Sequence, residues 1–197
     1  MNLANKLTIF RMILVPLMVI IPFLPISGDF YGVTYSFIIM DIIFVIASIT
    51  DHFDGYIARS RNEVTTFGKF LDPLADKILV LAAMVLLVGF DKIPAWIPVI
   101  VLTREFLVSG LRLVAVEKGG KVIAASIWGK IKTATQMVAI GLIFIDVHSF
   151  FEFVNGGISG LPLLINISGS ILLGISVIAT IFSGYDYFRH GMEYFKE

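Results

Sequence analysis

The sequence predicts an all-α integral membrane protein that folds as a single bundle of six transmembrane helices. Three observations lead to this fold class. Of the 197 residues, 57% are hydrophobic, the mean hydropathy is +0.92, and long apolar stretches recur along the chain. Soluble domains contain fewer apolar residues. Because six spans of about 20 residues each take up most of the chain, we expect one membrane domain over residues 1–197.

The predicted spans are separated by polar residues, glycine or proline. They cover residues 7–24, 33–50, 71–90, 94–116, 126–147 and 160–182. The first span lacks a cleavage site of the Ala-x-Ala type, so we expect it to remain as an anchor. Residues 2–6 allow a short interfacial helix before it, and polar helical extensions are expected at residues 51–59 and 68–76. Ser170-x-x-x-Gly174, with Gly169, predicts close helix packing, within the bundle or at a dimer face.

The distribution of charge orients the bundle. The 15 Lys and Arg residues balance 15 Asp and Glu residues, but the basic ones concentrate on the side where the first span begins. That side contains Lys6, Arg11, Arg59, Arg61, Lys69, Lys77, Lys118, Lys121, Lys130, Lys132, Arg189 and Lys196. The opposite connections contribute only Lys92. By the positive-inside rule, both termini and the loops at residues 59–69 and 117–125 are predicted to be cytoplasmic.

Composition also limits the possible functions. The sequence has no cysteine, which excludes disulfides, thiolate nucleophiles and thiolate metal sites. It has no basic nucleic-acid patch, so no nucleic-acid partner is expected. Aromatic residues near the C-terminus are expected to form a belt at the membrane interface: Tyr185, Tyr187, Phe188 and Tyr194. Ionisable residues of the opposite connections are expected to be solvated: Lys92, Asp146, His148 and Glu152.

Four aspartates are predicted to meet at one membrane boundary. Asp51 and Asp54 end the second span, and Asp72 and Asp76 begin the third. Residues three or four apart share a helix face, so two neighbouring helices can point all four carboxylates into one gap. Such carboxylates must be protonated, paired or bound to metal. Two divalent cations would neutralise them, and an all-oxygen ligand set favours Mg²⁺ or Mn²⁺ over Zn²⁺.

A simpler interpretation exists for each aspartate taken singly, namely a helix end at the interface paired with a neighbouring cation. The neighbouring cations are Arg59, Arg61, Lys69 and Lys77. For four aspartates on two facing stripes, a ligand site is favoured, because small residues beside them leave room. These are Gly55, Ala58, Gly68 and Ala75. Pro73 predicts either a simple helix start or a bend that aims Asp72.

The two stripes form a longer motif, Asp51-x-x-Asp54-Gly55-x-x-Ala58-Arg59, eight residues, then Gly68-x-x-x-Asp72-x-x-x-Asp76. This motif resembles the signature of the CDP-alcohol phosphotransferase family. Segments at residues 5–11, 68–77, 104–112 and 129–133 are similar in particular to its bacterial phosphatidylglycerophosphate synthase branch. The resemblance implies transfer of the phosphatidyl group of CDP-diacylglycerol to the 1-hydroxyl of sn-glycerol 3-phosphate, with release of CMP. It also implies a homodimer in the lipid bilayer of the bacterial cell membrane, with a cytoplasmic active site.

The resemblance also assigns roles to residues. Two divalent cations, Mg²⁺ or Mn²⁺, would be held by Asp51, Asp54, Asp72 and Asp76. Asp76 would also act as the general base. CDP-diacylglycerol would contact Asn5, Thr8, Gly55, Arg59 and Gly68, with Arg11 at the border of the nucleotide pocket. For the three residues of the first span, an interfacial polar cluster is an equally good interpretation.

The acceptor phosphate would be bound by cations that lie within apolar segments. Arg104 and Arg112 lie in the fourth span, about 12 Å apart along a helix and about 80° apart around it. Glu105 could neutralise one of them. Lys130 and Lys132 begin the fifth span as snorkelling anchors or as further phosphate ligands, and the family resemblance favours Lys130. Cations in such places favour a phosphorylated acceptor over a neutral alcohol.

Other functions share some of these features. Phosphatidylinositol-phosphate synthase and CDP-diacylglycerol-dependent cardiolipin synthase belong to the same family and differ in the acceptor. Intramembrane aromatic prenyltransferases place their two Asp-rich motifs in separate halves, whereas residues 51–76 contain both motifs here. A divalent-cation transporter is the non-enzymatic alternative. Against it, the carboxylates lie at one boundary and no inverted repeat is evident.

Overall fold

A computed structural model describes residues 3–60, 66–117 and 126–191 of the protein, without the side chains of residues 3–4, 51–60, 66–70, 72–73, 116 and 190–191. Within these ranges the chain forms six α-helices and one short hairpin. The helices are α1 (Leu3–Ile20), α2 (Tyr35–Ser60), α3 (Thr66–Gly89), α4 (Trp96–Glu117), α5 (Ile127–Phe144) and α6 (Gly160–Gly191), and the strands are β1 (Asp29–Phe30) and β2 (Val33–Thr34).

The helices confirm the predicted all-α bundle, since each of the six predicted spans overlaps one helix. The polar extensions are also present, because α2 continues to Ser60 and α3 already begins at Thr66. Pro73 is therefore inside α3, and its interpretation as a simple helix start is wrong. A proline there costs one backbone hydrogen bond, which transmembrane helices tolerate. The described part of the suggested interfacial helix, residues 3–6, is the first turn of α1 itself.

The hairpin between α1 and α2 was not predicted. Its turn residues Tyr31 and Gly32 have φ angles of 53° and 84°, as a two-residue turn between antiparallel strands requires. Asp29 Oδ2 accepts a hydrogen bond from the Gly32 N–H at 3.0 Å. Strands of two residues are too short to give an alternating pattern, so the sequence could not reveal them.

The core lies where α5 packs on α6 and where α1 packs on α2 and α3. Large side chains buried there are Met18, Met40, Phe44, Leu79, Leu87, Ile140, Phe144 and Leu173. Gly169 allows close approach, because a Cβ atom there would lie 3.2 Å from Ile143 Cγ1 of α5. This contact confirms the predicted close packing within the bundle for Gly169. A Cβ atom on Gly174 would have nothing within 4 Å.

The outer surface of the bundle is apolar. In α4 alone, Val99 is 62% exposed, and Phe106 and Leu113 are each 70% exposed. Two of the described helices are long and apolar enough to cross a membrane by length and composition, at Asn5–Phe23 and Gly160–Arg189. Large exposed apolar surfaces mark contact with lipid or with a partner.

At the end of the bundle away from the four aspartates, a polar network joins the loops. We call it the distal network: Lys92, Asp146, His148, Ser149, Glu152 and Asn166. Asn166 is fully buried; its Nδ2 donates to Asp146 Oδ2 at 2.7 Å and to the Ser149 carbonyl at 2.9 Å. Its Oδ1 accepts from the Phe153 N–H at 3.0 Å. Asp146 is only 4% exposed, so the expectation that it is solvated is wrong; the loop after α5 encloses it.

Lys92 links this network to the α3–α4 loop. Its Nζ donates to the carbonyls of Asp146 and Val147 at 2.7 and 2.8 Å. Burial lowers the pKa of Lys92, and the charges of Asp146 and Glu152 partly offset this effect. The Glu152 side chain is 41% exposed, as predicted, and the N–H of Ser149 holds the pKa of Glu152 below its ordinary value.

Candidate active site

The carboxylate motif lies on two consecutive helices. Asp51 and Asp54 belong to the cytoplasmic extension predicted for the second span, now the last turns of α2, and Asp72 and Asp76 belong to the first turns of α3. Continuous helices place each pair on one face, as predicted. The side chains of Asp51, Asp54, Gly55, Arg59, Gly68 and Asp72 lie outside the described part. Among the described side chains, no group of three His, Cys, Asp or Glu could hold a metal. Convergence of the four carboxylates stays a prediction.

Asp76, the described member of the four, lines a cavity of about 150 Å³ between α3, α4 and α5. Lys77, Glu105 and Lys132 line the same cavity. The remaining walls are apolar and include Leu81, Met84, Val101, Leu102 and Phe106. The predicted general base and one of the predicted phosphate-binding lysines therefore share one space.

Glu105 is the centre of an ion-pair group that joins α3, α4 and α5. Its Oε1 atom lies 2.8 Å from Lys132 Nζ and 2.9 Å from Arg104 Nη1. Its Oε2 atom lies 3.9 Å from Lys77 Nζ, and Lys77 also donates to Ser109 Oγ. Glu105 thus pairs with Arg104, as the sequence suggested it could. In this group of described side chains, the carboxylate of Glu105 thus faces three cations.

Of the two lysines at the start of α5, the structure brings Lys132 into this group. The Lys132 side chain is 9% exposed, whereas Lys130 is exposed. Residues two apart on a helix point about 200° apart, so Lys130 and Lys132 cannot both face Glu105. Lys130, the residue that the family resemblance favoured, lies on the other side of α5.

Arg104 and Arg112 converge on one side chain of α6. The guanidinium carbons of Arg104 and Arg112 lie 5.5 and 5.2 Å from the centre of the Tyr187 ring. Arg112 Nη2 donates to Tyr187 Oη at 2.6 Å, and Arg104 Nη2 donates to Ser183 Oγ at 2.5 Å. Both arginines therefore reach the same region, although they do not share a helix stripe. We call Lys77, Arg104, Glu105, Arg112 and Lys132 the α4 charge cluster.

Tyr187 is 1% exposed, so its assignment to an interfacial aromatic belt is wrong. Tyr185 and Phe188, at 65% and 47%, do lie on the outside, and Tyr194 lies outside the described residues. Ser183 and Tyr187 were not among the predicted site residues. A signal was present, since polar residues recur at helical spacing along the last span and are all buried: Ser176, Thr180, Ser183 and Tyr187.

Two glycines make room for Arg104. A Cβ atom on Gly129 of α5 would lie 3.3 Å from Arg104 Nη2 and 3.6 Å from Ser183 Oγ. A Cβ atom on Gly184 of α6 would lie 3.4 Å from Arg104 Cγ. Among the described residues, the Nε atoms of Arg104 and Arg112 are buried and have no hydrogen-bond acceptor. A bound anion could supply an acceptor to buried donors of this kind.

Comparison with known proteins identifies the family. The family model for CDP-alcohol phosphatidyltransferases matches residues 1–182. The chain belongs to this family. The resemblance inferred from the aspartate motif is thereby confirmed, and with it the predicted enzyme class.

Among curated relatives of this phosphatidyltransferase is the CDP-diacylglycerol–glycerol-3-phosphate 3-phosphatidyltransferase of Bacillus subtilis, 42% identical, with 99% of this chain and 97% of the relative covered. The protein of that name from Haemophilus influenzae is 40% identical, with 95% and 92% covered. A probable phosphatidylglycerophosphate synthase of Mycobacterium tuberculosis is 37% identical, with 94% and 79% covered.

The first helix of this phosphatidyltransferase turns a polar face inward. Asn5, Thr8 and Arg11 are 7%, 1% and 0% exposed, and their spacing of three residues keeps them on one face of α1. An interfacial cluster in contact with water does not fit this burial. The three residues lie inside the bundle, and their place at the border of a nucleotide pocket stays a prediction.

A second cavity of about 540 Å³ lies between α2 and α5. Its walls are mostly apolar: Phe44, Val45, Ile49, Ala134, Met137, Val138, Leu142 and Ile145. Val45, Ile49 and Val138 are 40–55% exposed, so the cavity is a groove that opens to the outside of the bundle. Ile49 precedes Asp51 by two residues, and the groove therefore starts beside the carboxylate motif.

Proposed function

We propose that this phosphatidyltransferase transfers the phosphatidyl group of CDP-diacylglycerol to sn-glycerol 3-phosphate, giving phosphatidylglycerophosphate and CMP. The observation that supports this best is the cavity that Asp76 shares with Lys77, Glu105 and Lys132. A candidate base and cations that could bind the acceptor phosphate then line one cavity. The names of the curated relatives point to the same two substrates.

The charge of the site selects the acceptor. Burying a cation in a membrane helix is costly unless it is paired or serves a ligand. In the α4 charge cluster, Lys77, Arg104 and Lys132 face the single carboxylate of Glu105, and Arg112 lies beside them on Tyr187. A phosphate dianion would complete the pairing, whereas glycerol or inositol without phosphate would leave it incomplete. We assign Arg104, Arg112 and Lys132 to the acceptor phosphate and retain Lys130 as a weaker candidate.

The metal site is proposed on the chemistry of its donors. Asp51, Asp54, Asp72 and Asp76 provide oxygen ligands only, on two consecutive helices that contact each other, which suits Mg²⁺ or Mn²⁺. When bound, two such cations neutralise the diphosphate and the departing CMP. Asp76 accepts the proton of the acceptor 1-hydroxyl; the new oxygen–phosphorus bond forms as the bond between that phosphorus and the CMP oxygen breaks.

The lipid substrate would lie on the side of the aspartate motif away from the α4 charge cluster. Asn5 and Thr8, with Gly55, Arg59 and Gly68, would hold the nucleotide end of CDP-diacylglycerol. The α2–α5 groove would take an acyl chain, because its walls are mostly apolar apart from Asp41, Ser48 and Thr133. It also opens to the outside of the bundle and includes Ile49, which lies beside the motif.

We further propose one domain over residues 1–197 that spans the bacterial cell membrane several times as a homodimer, with both termini and the active site in the cytoplasm. The apolar outer faces of the helices support the membrane location, and the one-sided distribution of Lys and Arg supports the orientation. To test the orientation, a single cysteine replaces either exposed Lys6 or exposed Tyr31, and intact cells that contain each variant are labelled. Only the residue outside the cell, Tyr31→Cys, should react with an impermeant reagent.

The deciding experiment measures CMP release by the purified full-length protein. The protein is incubated with CDP-diacylglycerol, Mg²⁺ or Mn²⁺ and one labelled acceptor at a time: glycerol 3-phosphate, inositol phosphate, phosphatidylglycerol or glycerol. We expect a lipid product with glycerol 3-phosphate and none with the other three. Product with inositol phosphate or phosphatidylglycerol instead would assign the chain to another branch of the family. Absence of CMP with every acceptor and metal would contradict the proposed function.

A further inference from the structure

The C-terminal half of α6 contains two polar residues that the mechanism above does not use. Ser183 and Tyr187 are 0% and 1% exposed, although the neighbouring Tyr185 and Phe188 are 65% and 47% exposed. Both also lie beyond residue 182, where the match to the family model ends. Ser183 and Tyr187 are one helical turn apart and face inward together.

These two residues hold the two arginines of the α4 charge cluster. Tyr187 packs its ring against both guanidinium groups, at 5.5 Å from Arg104 and 5.2 Å from Arg112, and its Oη atom accepts a hydrogen bond from Arg112 Nη2 at 2.6 Å. Ser183 Oγ accepts from Arg104 Nη2 at 2.5 Å. Gly129 and Gly184 make room for Arg104, since a Cβ atom would lie 3.3 Å from Arg104 Nη2 if it were added to Gly129 and 3.4 Å from Arg104 Cγ if it were added to Gly184.

We propose that Tyr187, assisted by Ser183, is the positioning residue that fixes Arg104 and Arg112 for the acceptor phosphate; this inference rests on the proposed function. Two guanidinium groups near one another repel, and each has several rotatable bonds. An aromatic ring attracts both through its negative face, and a hydrogen bond from a charged donor fixes one of them further. Because the arginines are held before the acceptor arrives, less entropy is lost on binding. Tyr187 itself need not touch the substrate.

The ring and the hydroxyl make separable contributions. Tyr187→Phe keeps the ring against both arginines and loses only the acceptor of Arg112 Nη2. Tyr187→Leu loses the ring as well. Ser183→Ala removes one partner of Arg104, which still pairs with Glu105. The expected order of damage to acceptor binding is therefore Tyr187→Leu, then Tyr187→Phe, then Ser183→Ala.

The test measures kcat and KM separately for glycerol 3-phosphate and for CDP-diacylglycerol in the purified full-length protein. We expect Tyr187→Phe to raise the KM for glycerol 3-phosphate about 3–10-fold, which is less than the full loss of a hydrogen bond to a charged group, because Tyr187 acts through Arg112 and keeps its ring. Tyr187→Leu should raise this KM further. The KM for CDP-diacylglycerol and kcat at saturation should stay within about twofold, since the reacting groups are untouched. Tyr185→Phe, the matched control on the exposed face of α6, should leave all constants unchanged.

Three results would overturn the inference. A KM for glycerol 3-phosphate unchanged in Tyr187→Phe, while Arg112→Ala raises it, would leave the proposed function intact and remove the role of Tyr187. Equal losses for both substrates, together with a lower melting temperature, would show a merely structural role. An effect of Tyr185→Phe as large as that of Tyr187→Phe would show the same. If Tyr187→Leu does not fold, Tyr187→Phe alone provides the test. If the wild-type protein is inactive toward glycerol 3-phosphate, the proposed function itself is contradicted.

Discussion

The two ends of the bundle differ in how far their buried polar side chains are paired within the protein. In the distal network, Asn166 uses both ends of its amide, Asp146 accepts two hydrogen bonds, and Lys92 donates to two carbonyls. In the α4 charge cluster, three cations face the one carboxylate of Glu105, and the buried Nε atoms of two arginines have no acceptor in the described part.

This difference separates stability from function. A network whose hydrogen bonds are satisfied by the protein stabilises the fold and needs no ligand. A cluster with more cations than carboxylates can pair its remaining charges with a bound anion. Clusters of this kind are common at functional sites. Substitutions in the distal network should therefore lower the melting temperature and leave the kinetics of the folded protein alone. Substitutions around the α4 charge cluster should change the kinetics and leave the melting temperature nearly unchanged.

The largest effect is expected at Asp76, which lines the cavity of the charge cluster. Asp76→Asn keeps the shape of the side chain and removes its basicity, so kcat should fall at least about 10²–10⁴-fold, the usual contribution of general base catalysis. CMP release measures this loss. The melting temperature should change little. Glu117→Gln, at an exposed carboxylate of α4, is the control, and an equal loss of activity there would show that charge alone, not the site, matters.

The converse change is Asn166→Ala in the distal network. It breaks three hydrogen bonds and leaves Asp146 buried with one partner fewer, so the free energy of unfolding should fall by about 2–3 kcal/mol. Thermal unfolding in detergent measures this loss, and Asn155→Ala, at an exposed residue, provides the control. The kcat and KM of the remaining folded protein should match the wild type. A raised KM for glycerol 3-phosphate would mean that the two ends are coupled.

The helices could be predicted and the aspartate motif recognised from the sequence, because both depend on local spacing. Apolar stretches and the intervals between Asp51 and Asp76 are visible in one dimension. Contacts between distant helices are not: the sequence placed Tyr187 at the interface and Asp146 in water, because it did not show that α6 turns Tyr187 toward α4 or that the loop after α5 encloses Asp146. Lys130 and Lys132 illustrate the same limit, since only the rotation of α5 about its axis decides which of them faces Glu105.

Those two lysines give the next comparison. Lys132→Met removes a charge that lies 2.8 Å from Glu105 and keeps the apolar stem, so the KM for glycerol 3-phosphate should rise about 10–100-fold, the effect of losing a hydrogen bond between charged groups. Lys130→Met, the matched change on the exposed side of α5, should raise this KM far less. Steady-state kinetics with varied glycerol 3-phosphate distinguish the two. A larger effect at Lys130 would support the assignment made from family resemblance instead.

A smaller effect is expected from Gly129→Ala. The new Cβ atom would lie 3.3 Å from Arg104 Nη2, so the guanidinium group must shift by a few tenths of an ångström, and the KM for glycerol 3-phosphate should rise about 2–5-fold through misplacement. Gly174→Ala makes the same helix-favouring change at a glycine with nothing within 4 Å. It should leave the KM unchanged. Equal kinetics in the two variants would show that Arg104 has more freedom than its contacts suggest.

The smallest effect concerns the pH dependence of the distal network. Glu152 accepts the Ser149 N–H at 2.7 Å, which holds its pKa in the folded protein below the ordinary value. The unfolded chain therefore binds the proton more readily, so this stabilisation is complete above the ordinary glutamate pKa of about 4.3 and is lost as the pH falls through the lower pKa of the folded protein. Melting temperatures measured between pH 6 and pH 3 should fall more steeply for the wild type than for Glu152→Gln. Parallel curves would show that Glu152 contributes nothing to stability, and activity at neutral pH should be the same in both proteins.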